Sequence, residues 1–193
     1  MTQQQLIVIT GATGTGKTTV SRFLTQAFGI PRVVTHTTRP KRVGEVDGRD
    51  YYFETPETLA EKHLIEHVTY AGYQYGSSHE ALAQAWTTTD VASIVLDTKG
   101  ALTYAKALPG VVKVLFLTIE HPHQLQERLL ARGDSKQSVL KRMQSPEYAR
   151  DLKLPEGLTP VATVVANDDW QEAQAAIDAW VGQNWPTLVN VTE

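Results

Sequence analysis

Residues 11–18 read Gly-Ala-Thr-Gly-Thr-Gly-Lys-Thr, and no other stretch restricts the fold of this chain as strongly. The apolar run Leu6, Ile7, Val8, Ile9 precedes it, and Val20, Phe23, Leu24 and Ala27 recur after it at helical spacing. That pattern predicts a buried strand, a tight turn and a helix. Glycine carries no Cβ, so Gly11, Gly14 and Gly16 let the turn curl with its N–H groups inward, and the helix offers its positive N-terminal end to an anion. A loop of this spacing cradles nucleotide phosphates with the backbone of Gly11, Ala12, Thr13, Gly14, Thr15 and Gly16. Lys17 reaches the outer phosphates and the Thr18 hydroxyl sits on a magnesium ion, with Thr19 beside it. The competing reading, a glycine-rich turn that binds nothing, requires this spacing to fall between a strand and a helix by chance.

The remaining composition narrows what can be done with a bound phosphate. There is no cysteine, which excludes disulfides, thiolate metal sites and a thiol nucleophile. A formal net charge of −3 argues against a general nucleic-acid or membrane-surface partner. No basic-then-apolar leader and no apolar run near the ~20 residues that cross a bilayer are visible, so the expectation is a soluble, cytoplasmic protein. Cations nevertheless cluster: Arg39, Lys41, Arg42 and Arg49 in one group, and Arg128, Arg132, Lys136, Lys141 and Arg142 in another. Either group could be a solvated face. Together with a phosphate loop they point to a site that gathers several phosphates from different sides.

Further apolar runs at 32–34, 91–96, 112–118 and 161–166 predict, with the first, a parallel five-stranded α/β core with helices on both faces. Asp97 stands at the end of one such strand, where open α/β sheets bind ligands. Between the second and third runs, residues 36–85 read as an inserted mixed lobe. A hairpin is expected over residues 43–53 around Asp47 and Gly48, a helix after Thr55 and Pro56, and an alternating stretch over 64–75 turning at Ala71 and Gly72. Ser77 and Glu80 resemble a capping box that opens another helix. Arg128 and Arg132, four residues apart, share one side of a later helix. In the last helix, Trp170, Ala173, Ile177, Trp180 and Val181 fall at core spacing.

Several of these pieces, in order, resemble guanylate kinase: residues 11–18, the run Thr-His-Thr-Thr-Arg-Pro-Lys-Arg-Val-Gly-Glu-Val-Asp-Gly-Arg-Asp-Tyr-Tyr-Phe at 35–53, Glu66, Tyr73-Gln-Tyr-Gly-Ser77, Arg128-Leu-Leu-Ala-Arg-Gly133 and Val165-Ala-Asn-Asp-Asp169. The resemblance implies one P-loop NTPase kinase domain: a core of residues 1–35, 86–127 and 154–193, an acceptor-binding lobe at 36–85 and a helical lid at 128–153. It implies ATP as phosphoryl donor, Mg2+, and GMP as acceptor, giving GDP. Arg39, Arg42, Tyr51 and Tyr75 would then hold the acceptor phosphate, while Thr35, Glu66, Ser77 and Asp97 face the guanine ring. Lys17, Arg128, Arg132 and Arg142 would surround the transferred phosphoryl, and Asn167 would lie near the donor adenine. A carboxylate at Glu66 suits this role, because it accepts from guanine N1–H and the exocyclic amine, a donor pair adenine lacks. The protein would act as a monomer or homodimer on small nucleotides, with no nucleic-acid or membrane partner.

The chain also departs from the family. The usual two aspartates of a D-x-D-x-Q-G run are reduced to Asp97, with Val95 at the first position and Lys99 where glutamine is expected. Two other readings therefore stay open: a P-loop kinase for a different phosphorylated acceptor, and a non-catalytic guanylate-kinase-like binding module.

Overall fold

The first apolar run forms β1 (Gln5–Thr10) in a computed structural model that describes residues 4–42, 44–70, 72–121, 123–131, 133 and 135–189. Its side chains alternate across the sheet, as the twofold period of a strand requires. Leu6 and Val8 face one layer, and Ile7 and Ile9 face the other. The chain then runs through α1 (Lys17–Phe28), β2 (His36–Thr37), β3 (Tyr52–Phe53), α2 (Pro56–Ala60), β4 (Leu64–Tyr70), β5 (Tyr73–Ser78) and α3 (His79–Ala85). It continues with β6 (Val91–Val95), α4 (Thr98–Ala107), β7 (Val112–Thr118), α5 (His123–Ala131), α6 (Lys136–Met143) and α7 (Pro146–Asp151). A 3-10 turn (Glu156–Val161) leads to β8 (Ala162–Ala166), α8 (Trp170–Asn184) and α9 (Pro186–Val189).

The larger sheet is parallel throughout, in the order β6-β1-β7-β8. Ala101 and Tyr104 of α4 cover the Leu6 and Val8 face. Val20 and Leu24 of α1, with Ala173, Ile177, Trp180 and Val181 of α8, cover the opposite face. Both faces of β1 are thus buried between helices, and the loop after it emerges at the C-terminal edge of the sheet. Among the described residues no helix is long and apolar enough to cross a membrane.

Two expectations need correction. Residues 32–34 do not form a fifth strand: the segment makes a single parallel bridge, Arg32 to Ser93, so the described sheet has four strands. Pro31 precedes it and has no N–H to extend the ladder, and by Thr35 the backbone already serves the smaller sheet, where its carbonyl accepts from Tyr52 N. Nor is the 43–53 segment a hairpin, although Val43 lies outside the described residues. Gly48, at φ +73°, turns a tight loop in which Phe53 N donates to Asp47 Oδ1. β3 consequently pairs parallel to β2 rather than folding back on residues 44–46.

The smaller sheet has the order β3-β2-β5-β4. β4 and β5 form the antiparallel pair that the 64–75 alternation predicts, turning at Gly72; Ala71 lies outside the described residues. The helix caps differ in detail. Thr55 caps α2 with Pro56 at its first position, as expected, whereas α3 is capped by Ser78 rather than Ser77. That shift of one residue leaves the wholly buried Ser77 hydroxyl to donate to Glu66 Oε2.

Candidate active site

The loop of residues 11–16 is held on three sides. Gly11, at φ +131°, runs so close to β7 that a Cβ there would lie 2.3 Å from the Leu117 carbonyl oxygen. Gly16, at φ +94°, has the Asn167 amide 2.3 Å from where its Cβ would stand, and that amide donates to Thr15 O at 2.7 Å. Thr15 Oγ1 in turn donates to Ala12 O at 2.8 Å. Lys17 bends back across the loop, its Nζ donating to the Gly11 and Ala12 carbonyls at 2.6 and 2.8 Å. The phosphate cradle is therefore preformed, with its ammonium already over the mouth.

Two clefts open from this point, and Thr13 and Lys17 line both. The first, about 800 Å³, contains Gly14, Gly16, Thr18, Thr19, Arg128 and Asn167 of the expected donor set. Arg42 lines this cleft as well, although the resemblance implies that it joins Arg39 on the acceptor phosphate. The second, about 620 Å³, lies between the two sheets and is lined by Thr35, Tyr51, Glu66, Tyr75, Asp97 and Arg142. Both volumes are in the range of small-ligand sites.

Arg39 is 8% exposed. Its guanidinium donates to Glu45 Oε1 and to the Pro40 carbonyl, each at 2.7 Å, and lies 5.5 Å from the centre of the Tyr51 ring. Tyr51 meets Tyr75 edge-on with ring centres 6.3 Å apart. The three side chains pack in succession, but only the two tyrosines line the second cleft; Arg39 lies behind them and borders neither cleft. The surprise is the carboxylate of Glu45, which holds Arg39 in place.

The electrostatics centre on Glu66. It is 9% exposed on β4, and burial, aided by the nearby charge of Asp97, pushes its carboxyl up to about 7. A buried carboxylate loses hydration that favours the ionised form, and a like charge adds to the penalty. Ser77, wholly buried on β5, donates to Glu66 Oε2 at 3.4 Å, which partly offsets both effects. Asp97 has a structural duty too: Oδ1 accepts from Gly100 N at 2.7 Å and caps α4. The two carboxyls are neighbours, since a Cβ on Gly100 would lie 3.2 Å from Asp97 Oδ1 and 3.4 Å from Glu66 Cδ.

The basic helices divide between the clefts. Arg128 on α5 donates to Asp168 O at 2.9 Å on the donor side, and Arg142 on α6 reaches the acceptor side. Arg132, expected to act with them, lies outside the described residues. No cluster of three or more His, Asp or Glu side chains among the described residues is arranged to hold a metal ion. What faces the donor cleft is the exposed Thr18 hydroxyl in the first turn of α1.

Several lining residues escaped the sequence reading, among them Trp170, Arg150 and Asp151. Trp170, assigned to the core by its spacing, is half-buried, packs edge-on against Phe23 and borders the donor cleft. Its place immediately after the Asp169 cap was the available signal, because the first residue of a helix sits at the sheet's C-terminal edge. Arg150 and Asp151 border the acceptor cleft. Nothing local distinguishes them from an ordinary charged helix end.

Comparison with known proteins agrees with the geometry. The family model for guanylate kinase matches residues 3–183. Guanylate kinase of Thermus thermophilus is 33% identical over 177 residues, covering 89% of this chain and 77% of the relative. The Schizosaccharomyces pombe enzyme is 32% identical, covering 90% and 88%, and the Homo sapiens enzyme 30% identical, covering 89% of each. The crystal structure of guanylate kinase from Anaplasma phagocytophilum has the same fold, with a TM-score of 0.64 at 20% identity over 94% of this chain and 86% of that one. A phosphate loop, a lobe carrying a buried glutamate, and sequence likeness over nearly the whole length converge on one conclusion: this chain belongs to the guanylate kinase family.

Proposed function

We propose that this protein is an ATP-dependent nucleoside monophosphate kinase that converts GMP to GDP. The observation that carries the reading is the meeting of the two clefts at Thr13 and Lys17. A donor phosphate chain in the loop and an acceptor phosphate beside Tyr51 and Tyr75 would face each other across that ammonium.

Each residue then has a physical task. The loop N–H groups bind the donor phosphates. A magnesium ion would be held by the Thr18 hydroxyl and by phosphate oxygens, a donor set of hard oxygens that suits it. When bound, it supplies charge neutralisation on the bridging and terminal phosphates. Arg39, Tyr51 and Tyr75 orient the acceptor phosphate for in-line attack, and Arg42, on the wall of the donor cleft, adds positive charge on the donor side. Lys17, Arg128, Arg132 and Arg142 neutralise charge on the phosphoryl in flight, where little covalent help is needed. Residues 128–153 form a lid over a core of residues 1–35, 86–127 and 154–193, while residues 36–85 present the acceptor. Closure of such a lid excludes water that would otherwise compete for the phosphoryl.

Glu66 selects the base by accepting from guanine N1–H and the exocyclic amine, with Ser77 and Thr35 presenting hydroxyls to the ring edge. A coupled assay with GMP, dGMP, AMP and UMP tests the function; absence of turnover on either guanine nucleotide at millimolar concentration would reject it. Glu66→Ala should lower kcat/KM for GMP by about 10²-fold, most of it lost as preference over AMP, since buried polar groups on the base go unpaired. Equal loss on GMP and AMP would remove the base-reading role.

The acidity of Glu66 adds two expected results. Only the ionised carboxyl accepts both guanine donors, so kcat/KM for GMP should rise about tenfold from pH 6 to pH 8 as a group of pKa about 7 ionises. Glu66→Gln should flatten that rise to what the titration of the substrate phosphate contributes. In stability the sign reverses. A carboxyl raised from 4.5 to about 7 by folding contributes stability below pH 4.5 that is lost as pH rises through 7. Glu66→Gln is therefore expected to be more stable than wild type at pH 8, by about 2 kcal/mol in urea unfolding, and to lose most of this advantage by pH 5 and the rest below pH 4.5.

A further inference from the structure

Beside the Glu66 carboxyl stands a cluster in which Asp97 alone has a task in the phosphoryl-transfer reading, while Arg150, Asp151 and Thr98 have none. Arg150, at the end of α7, donates through one nitrogen to Asp97 Oδ2 at 2.7 Å and through Nε to Asp151 Oδ1 at 2.9 Å. Its Nε also lies 3.1 Å from Thr98 Oγ1. Asp151 Oδ1 closes the ring, accepting from Thr98 N at 3.2 Å and Thr98 Oγ1 at 2.5 Å. Asp151 is 8% exposed and Thr98 wholly buried. The guanidinium thus joins two elements distant in sequence: the first turn of α4, capped by Asp97, and the last turn of the segment that carries Arg142.

We propose that Arg150 is a positioning residue for acceptor recognition, its guanidinium fixing and neutralising Asp97 so that the adjacent Glu66 carboxylate is free to take the guanine N–H donors. The inference rests on the GMP kinase reading and deepens it. The cleft that Glu66 lines also holds Lys17, His67, Arg142, Glu147 and three tyrosines, but the groups nearest its carboxyl come from α4, β5 and α7. From the start of α4 and along it come Asp97, Lys99 and the buried Tyr104; β5 contributes the Ser77 hydroxyl; α7 contributes Arg150 and Asp151. Lys99 is exposed, so it is screened by water, whereas Arg150 is in direct contact with Asp97. Without that contact Asp97 would lose its guanidinium partner beside a second carboxyl, and like charges so placed do not both ionise readily at neutral pH. The Arg fork also sets the rotamer of Asp97, since Oδ1 is committed to Gly100 N while Oδ2 is held by the guanidinium.

The test is a kinetic series on the full chain: wild type, Arg150→Met, Arg150→Lys and the Arg150→Met/Asp97→Asn double variant, each with GMP and ATP varied from pH 6 to pH 9. Arg150→Met should raise KM for GMP about tenfold while KM for ATP stays within about twofold, and should move the apparent pKa in kcat/KM for GMP upward by about one unit. The double variant should bring that pKa back to the wild-type position, because the unpaired charge is gone. Arg150→Lys should keep the pKa and raise KM for GMP about threefold, having the charge without the fork. Equal changes in both KM values, or an unmoved pH profile in Arg150→Met, would overturn the proposal and leave Arg150 a merely structural clasp. If Arg150→Met does not fold, Arg150→Lys decides: a wild-type KM for GMP would overturn the role of the fork. A wild type inactive on GMP would reject the kinase reading itself, a result distinct from any of these.

Discussion

Lys17→Ala is expected to lower kcat for GMP phosphorylation by about 10²–10³-fold or more, with the melting temperature of the protein within a few degrees of wild type. The ammonium lies where the two clefts meet and is held there by the Gly11 and Ala12 carbonyls. Phosphoryl transfer proceeds by positioning and charge neutralisation, so one preorganised cation at that junction carries a large share of the barrier reduction. Among the hydrogen bonds it gives up are those to the Gly11 and Ala12 carbonyls; Ala12 O still accepts from Thr15, and the Asn167 anchor of the loop remains, so the fold is spared. Steady-state kinetics with a thermal melt on the same sample decide it. A kcat within tenfold of wild type would show that the junction is not where the phosphoryl passes.

Gly11→Ala should fail in the opposite way, through the fold. The new methyl would stand 2.3 Å from the Leu117 carbonyl oxygen in the middle of the parallel sheet, at a φ of +131° that a side chain rarely tolerates. Neither neighbour can yield, because Leu117 is a ladder residue paired with Val165 and is itself buried. The combined strain and overpacking should cost about 3 kcal/mol or more. Residual folded protein should also bind ATP at least tenfold more weakly, since relief of the clash must move the loop away from β7. Urea unfolding and a calorimetric titration with magnesium ATP measure the two effects. Unchanged stability would mean that the loop rides further from the sheet than the Gly11 geometry indicates.

The legible parts of this protein were those in which neighbours in sequence are also neighbours in space. β1, the phosphate loop and α1 form one continuous strand-turn-helix, and the alternation of Leu64 onward had only to close on its own turn. Errors arose where a distant partner settled the outcome. Residues 32–34 look β-prone, but a strand needs a ladder, and the backbone after Arg32 is drawn off to the second sheet. Asp47 and Gly48 do make a turn, yet β3 pairs with β2, whose position only the folded lobe provides. Trp170 shares the helical spacing of Trp180, but its place at the mouth of the sheet leaves it half-exposed at a cleft while Trp180 is buried.

By itself the sequence determined that this chain handles nucleotide phosphate on a strand-to-helix turn, since glycine spacing, the lysine and the following hydroxyl act through a few contiguous backbone units. Its likeness to guanylate kinases over almost the whole length pointed to the acceptor. Only the tertiary structure decided that Arg42 faces the donor cleft, that Glu66 is buried next to Asp97, and that Arg150 stands between Asp97 and Asp151. Charge state and orientation there depend on burial and on groups brought together from β4, α4 and α7, and no local pattern encodes which distant side chain will supply the counter-charge.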